Sequence, residues 1–182
     1  MLLYYLIKVF PSIAIISTIV FSPFYVYINR RYGKQTFLYH LAKYALIGCL
    51  LSLIYLTLLW YYPNITFHPD YYFLNLRPFV WLYEVYDMGP KKMMVQLMMN
   101  IGMFIPLGLL LPTAVRRMRK LWKTSAVVLA ITLIIEITQY FMGRSADIDD
   151  VIMNFVGGLI GYSLFTLFKC RLGNLFQFHS TI

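Results

Sequence analysis

Apolar residues run through this chain in five long blocks, with the polar residues gathered between them. Leu2 to Ile28 is broken only by Lys8, Pro11, Pro23 and small hydroxyls; Leu41 to Tyr61, Met94 to Pro112, Ser125 to Phe141 and Val151 to Phe168 follow. Each block approaches or exceeds the roughly 20 apolar residues with which an α-helix crosses the hydrocarbon core. In lipid a helix satisfies its own backbone polar groups. The pattern predicts an all-α membrane protein of about five transmembrane helices, with residues 1–182 forming a single integral membrane domain. The first block is too long for a signal-peptide core and lacks the small-residue cleavage signature, so it reads as a span. Between the second and third blocks, Tyr71 to Tyr86 is aromatic but too short to cross, and an interfacial or re-entrant segment is expected there.

Composition supports this pattern. The chain is 60% hydrophobic and only 13% charged, against about 25% charged in soluble domains. The net charge of +9 matters through its placement. Arg30, Arg31 and Lys34, then Arg116, Arg117, Arg119, Lys120 and Lys123, then Lys169 and Arg171 form runs free of acids; Asp70, Glu84 and Asp87, and Asp147, Asp149 and Asp150, lie in the other two loops. Short basic loops stay in the cytoplasm. The expected topology therefore has the amino terminus outside, the carboxyl terminus inside, and both acid-bearing loops facing out. The basic runs are topology signals and contacts to anionic lipid, not a nucleic-acid surface. Cys49 and Cys170 are far apart, and His40, His68 and His179 are isolated. No disulfide framework or thiolate metal motif follows, and the histidines read as interfacial or loop residues.

Candidate chemistry is concentrated between Glu136 and Gly161, EITQYFMGRSADIDDVIMNFVGGLIG. Under the expected topology Asn100, Glu136, Gln139, Arg144, Asp147, Asp149, Asp150 and Asn154 all come to the outer interface. An ionised glutamate near mid-helix costs roughly 2.5 to 3.5 kcal/mol. A partner such as Arg144, a cation, a water-filled cleft or protonation must offset that. Asp147 or Asp149 is placed to cap the fifth helix. Gly143 is placed to end the fourth in a left-handed turn, with Arg144 facing its carbonyls. Gly157 and Gly161, with Gly158, allow close approach of the third or fourth helix. A hard cation would suit Asp and Asn oxygens, but no ion-loop spacing is present, so neither a metal nor a cofactor is expected.

These pieces resemble the VanZ-like family. The resemblance is carried by Asn75-Leu76-Arg77-Pro78-Phe79, by Asn100-Ile101-Gly102-Met103-Phe104-Ile105-Pro106-Leu107-Gly108, and by Glu136-Ile137-Thr138-Gln139. Arg144-Ser145-Ala146-Asp147-Ile148-Asp149-Asp150, Asn154, Gly157 or Gly158, and Gly161 complete it. It covers residues 60–168. Arg77 stands where an apolar residue is the pattern and Ala146 where an aromatic is, changes that bear on ligand preference. The resemblance implies a multi-pass protein of the bacterial cytoplasmic membrane. The family's namesake is associated with resistance to teicoplanin, a lipid-tailed glycopeptide that binds the peptide stem of cell-wall precursors.

Two functions compete with a purely structural role for these groups. One is binding or exclusion at the outer leaflet: the eight polar residues, with Arg77, Phe79 and Trp81 in the outer loop, would contact the lipid-tailed glycopeptide or a lipid-linked cell-wall precursor. The other is a membrane enzyme acting on a lipid-linked envelope component, with Glu136 and one of Asp147, Asp149 or Asp150 as acid and base. No nucleophile elbow, metal-binding histidine pair or phosphate loop accompanies them. In the structural reading Asn100, Gln139 and Asn154 hydrogen-bond between helices. Oligomeric state is left open.

Overall fold

The computed structural model describes residues 9–60, 74–82 and 89–175. Asp70, Glu84, Asp87, His68, His179 and the flanks of the aromatic segment lie outside the described residues. Among the described residues five long α-helices carry the chain: α1 Phe10–Tyr32, α2 Phe37–Thr57, α3 Pro90–Ala114, α4 Leu121–Phe141 and α5 Ile148–Leu175. All five are long and apolar enough to cross a membrane, and the chain is a multi-pass membrane protein.

Local chemistry sets the helix ends where hydropathy alone misplaces them. Thr36 caps α2, its hydroxyl accepting the Tyr39 N–H at 3.3 Å, so α2 begins before Leu41 and ends before Trp60. Pro90 opens α3 directly after Gly89, a position where the missing N–H has no helical partner to lose. Within α1, Pro23 cannot donate to the Ile19 carbonyl; the Ser22 hydroxyl does so instead, at 3.1 Å. α1 also continues past Ile28 through Arg30 and Arg31 to Tyr32.

The turn between α4 and α5 closes as the sequence suggests. Gly143 takes φ 76°. Its N–H donates to the Tyr140 carbonyl at 3.1 Å, and the Arg144 N–H donates to that of Gln139 at 3.0 Å. This pair of bonds caps a helix that ends in a left-handed glycine. Asp147 then caps α5, its Oδ1 accepting the Asp149 N–H at 2.8 Å. Asp149 and Asp150 therefore stand inside the first turn of α5, not in the loop.

The closest packing in the bundle is α3 against α5. A Cβ added at Gly157 would overlap the Ile101 carbonyl, and one at Gly161 the Ile105 carbonyl. The GxxxG pair therefore serves α3, while Gly158 faces α4, where its Cβ would lie 2.5 Å from Val128 Cγ1. Around this contact Leu53, Phe104, Leu107, Leu111, Val128 and Ile135 form the buried core. Large apolar side chains such as Ile15, Ile19, Ile134, Ile137 and Leu167 point outward, which suits lipid. α1 packs along α2 at the edge of the bundle.

Charge divides the bundle into two unlike ends. At one end Lys43 Nζ donates to the Ala114 carbonyl at 3.0 Å, and the Tyr162 hydroxyl to that of Arg119 at 2.8 Å. At the other end the last turns of α2 and α4 meet the first turn of α5 and the middle of α3 at Asn100, and Glu136, Asp147, Asp149 and Asp150 collect there.

Candidate functional site

The site begins as a stripe on one helix. Thr132, Glu136 and Gln139 follow at i, i+4 and i+7 on α4, a spacing that puts them on one face, and all three are buried. Each finds a partner on another segment. The Thr132 hydroxyl accepts from Asn154 Nδ2 at 2.9 Å. Glu136 Oε2 accepts the Asp147 N–H at 3.0 Å. Gln139 Nε2 donates to the Thr57 carbonyl at 3.0 Å, and Arg144 Nη1 donates to the same oxygen at 2.6 Å. Thr57 lies in the last turn of α2, where carbonyls have no intrahelical donor; the two side chains close that end. Nearer α3, Asn100 Nδ2 donates to Asp150 Oδ1 at 2.5 Å.

A second layer ties the loop between α2 and α3 to this floor. Leu74–Asn75 forms a strand, β1, that pairs in parallel with Ala146–Asp147, β2, in the register Leu74 to Ala146 and Asn75 to Asp147. Asp147 Oδ1 also accepts from Asn75 Nδ2 at 3.1 Å, and Asn75 Oδ1 accepts the Arg77 N–H at 3.1 Å. Beyond Pro78 the chain turns over Asp149. Its Oδ1 accepts the Phe79 N–H at 2.6 Å and its Oδ2 the Trp81 N–H at 3.5 Å. Phe79 sits at φ 66°, a conformation uncommon for a bulky residue. The carboxylate of Asp149, only 3% exposed, holds the backbone in it. Backbone strain of this kind persists where its surroundings over-determine it.

All eight polar residues expected in the site thus fall at one end of the bundle, in linked groups. Glu136, Asp147 and Asp149 form a relay from α4 to the loop between α2 and α3; Asn100 pairs with Asp150; Gln139 and Arg144 converge on Thr57; Asn154 lies a turn deeper against Thr132. Arg144 reaches α2 with its guanidinium and closes α4 with its backbone N–H. Of the loop residues, Arg77 and Phe79 are exposed and Trp81 is half-buried. Leu76 and Leu82 are exposed as well, so the docked turn leaves several apolar side chains uncovered.

Sequence reasoning missed three groups. Thr132 was available from its i−4 spacing to Glu136. The Thr57 carbonyl carried no side-chain signal. Asn75 was visible only as part of a motif, and its pairing to Asp147 is a long-range strand contact that no local pattern announces. Two buried polar atoms, Trp81 Nε1 and Asn154 Oδ1, have no hydrogen-bond partner among the described residues; both belong to this end of the bundle. Among the described residues no group of three or more His, Cys, Asp or Glu side chains is placed to hold a metal ion.

The VanZ/LLP1 family model matches residues 44–169, from within α2 to the later turns of α5, so the matched region takes in Thr57, the docked loop and every residue of the site. No curated protein and no solved structure matches the chain.

Proposed function

This chain belongs to the VanZ/LLP1 family, and we propose from that premise that it lowers bacterial susceptibility to lipid-tailed glycopeptides of the teicoplanin type. It does so by binding the drug, or a lipid-linked cell-wall precursor, at the outer leaflet of the cytoplasmic membrane. The observation that carries this reading is the docking of the outer loop. Asp149 fixes a turn that exposes Leu76, Arg77, Phe79 and Leu82 among others. An acyl tail suits the three apolar side chains. Arg77 supplies a cation for an anionic part of the ligand. The polar floor beneath keeps the turn rigid, which reduces the ordering cost of binding. With the acid-bearing end outside, as the charge bias favours, this surface meets the lipids that carry cell-wall precursors.

The competing reading, acid–base catalysis by Glu136 with Asp147 or Asp150, needs a carboxyl oxygen open to a substrate. Glu136 is buried, and Glu136, Asp147 and Asp149 each engage at least one oxygen with a backbone N–H. That disposition favours positioning over proton transfer.

Susceptibility to teicoplanin and vancomycin is measured in a sensitive Gram-positive host, with membrane abundance quantified for every variant. Wild type is expected to raise resistance to teicoplanin more than to vancomycin. Phe79→Ser with Leu82→Ser removes apolar contact worth about 1.5–3 kcal/mol per side chain, so the protective effect should fall roughly tenfold or more at equal abundance. Glu136→Gln keeps an acceptor for the Asp147 N–H, so on the binding reading it loses less than the loop variant. A complete loss in Glu136→Gln alone, with the loop variant unaffected, would favour catalysis. Abundant wild type that changes neither susceptibility would reject the resistance reading.

A further inference from the structure

The outward side of α1 carries an open groove of about 560 Å³, lined by Pro23, Val26, Tyr27, Arg30 and Arg31. Their spacing of i, i+3, i+4, i+7 and i+8 puts them on one face of the helix, and all five are exposed. Ile28 is buried on the other side, so the groove looks away from the bundle. Pro23 has no N–H to give the Ile19 carbonyl, and the Ser22 hydroxyl serves that oxygen from within the helix. The backbone here therefore calls for no donor from a neighbouring helix.

The groove is graded along the helix axis. Pro23 and Val26 are apolar, Tyr27 adds a phenol, and Arg30 and Arg31 stand in the last turn of α1. Pro23 and Arg31 are about 12 Å apart along the helix, at 1.5 Å per residue. Hydrocarbon, ester and phosphate follow in that order where a helix leaves a bilayer. Tyrosine is enriched at the interface level, and arginine reaches past its apolar stem to the headgroups. Asn29, beside the arginines, lies 3.2 Å from His40 in the first turns of α2. Thr57, in the last turn of α2, meets Gln139 and Arg144. The two arginines therefore stand at the opposite end of the bundle from Glu136, Asp147, Asp149 and Asp150.

Neither arginine has an acid to pair with there. No Asp or Glu precedes Asp70 in the chain. Other cations of this end are taken up by the protein itself: Lys43 Nζ donates to the Ala114 carbonyl at 3.0 Å, Arg119 Nε to that of Pro112 at 3.4 Å, and Lys123 Nζ lies 5.4 Å from the centre of the Trp122 ring. Among the described residues no hydrogen bond or ring contact engages Arg30 or Arg31 in this way. Guanidinium groups bind phosphate by paired hydrogen bonds, and the apolar half of the groove requires that the phosphate carry hydrocarbon. We propose that this groove seats one anionic phospholipid of the adjoining leaflet, with its phosphate held by Arg30 and Arg31 and an acyl chain along Val26 and Pro23. It lies wholly outside residues 44–169, which the family model matches, and is independent of the glycopeptide reading.

The test is lipid retention on the purified full-length protein, read by native mass spectrometry after titration with phosphatidylglycerol or phosphatidylcholine. Wild type is expected to retain phosphatidylglycerol in preference. Arg30→Gln with Arg31→Gln should lower that retention roughly fivefold for each cation removed, with an unshifted melting temperature, since both side chains are exposed. Arg117→Gln with Lys120→Gln is the control. It removes the same charge from exposed positions after α3, at the same end of the bundle, and should leave the lipid in place. Equal retention of the two lipids by wild type, or equal losses in the two double variants, would reduce the effect to surface charge and overturn the groove. Inorganic phosphate added in excess should not displace the lipid; displacement would show a site for free anions and overturn the acyl contact. A phosphatidylglycerol with a photoreactive acyl chain gives a readout that needs no variant. It should label α1 between Pro23 and Tyr27, and labelling confined to other helices would reject the proposal.

Discussion

Gly161→Leu is expected to prevent α3 and α5 from packing, and membrane extracts should contain little folded protein. Even a Cβ at this position would overlap the Ile105 carbonyl and stand 2.8 Å from the Leu109 nitrogen. Backbone cannot swing aside as a side-chain end can, so the helices must part. Parting them opens the core where Phe104 and Leu107 have no exposed surface. Overpacking of a side chain costs typically 1–3 kcal/mol, and a clash with backbone lies at or above about 3. Gly102→Ala, in the same α3, is the control. It has no atom within 4 Å of its added Cβ, and alanine in place of a helical glycine stabilises by about 0.5–1 kcal/mol. Thermal unfolding of the purified variants should therefore move in opposite directions. Should Gly161→Leu melt with wild type, the close contact of α3 and α5 is not what holds the bundle.

That glycine pair was legible in the sequence, but its partner was not. GxxxG spacing announces close approach and leaves open which helix approaches, because the choice depends on how five similar apolar cylinders pack together. The spans themselves were legible because hydropathy is summed over some 20 residues, and a few misplaced ones change nothing. Their ends were less so. Thr36 and Pro90 fix the starts of α2 and α3 by capping and by a missing N–H, effects of single residues that a hydropathy window averages away. The site was legible as a set, since carboxylates and amides in apolar helices are too costly to be scattered. Its wiring was not. Asp147 and Asp149 both looked like caps for α5, yet the Asp149 carboxylate holds Phe79 and Trp81 of the loop between α2 and α3, and Asp147 takes the cap. Two aspartates two residues apart are equivalent on a local rule; the β1–β2 pairing distinguishes them.

Asp149→Asn follows from that wiring and is expected to have the largest effect on the site itself. The side chain now accepts two backbone N–H groups, one on each oxygen. An amide keeps one oxygen and turns an NH₂ toward the other N–H, so one bond is lost and replaced by two donors facing each other. Hydrogen bonds to a charged group contribute about 1.5–3 kcal/mol, which corresponds to a roughly ten- to hundredfold rise in the undocked loop population. Phe79 would also be released from its left-handed conformation, which favours undocking further. The five helices do not depend on this contact, so membrane abundance should hold, in contrast to Gly161→Leu. Amide hydrogen exchange at Phe79 and Trp81 is the direct readout: faster exchange by that factor, with the α3 and α5 amides unchanged, is the expected result. Because the apolar face of the loop is the surface proposed to meet the drug, protection against teicoplanin should fall with the docked population. Exchange that stays slow in Asp149→Asn would mean that the β1–β2 pair and Asn75 hold the loop unaided. If exchange quickens and protection is retained, the loop is docked by Asp149 but is not where the ligand binds, and the polar floor around Glu136 becomes the surface to test.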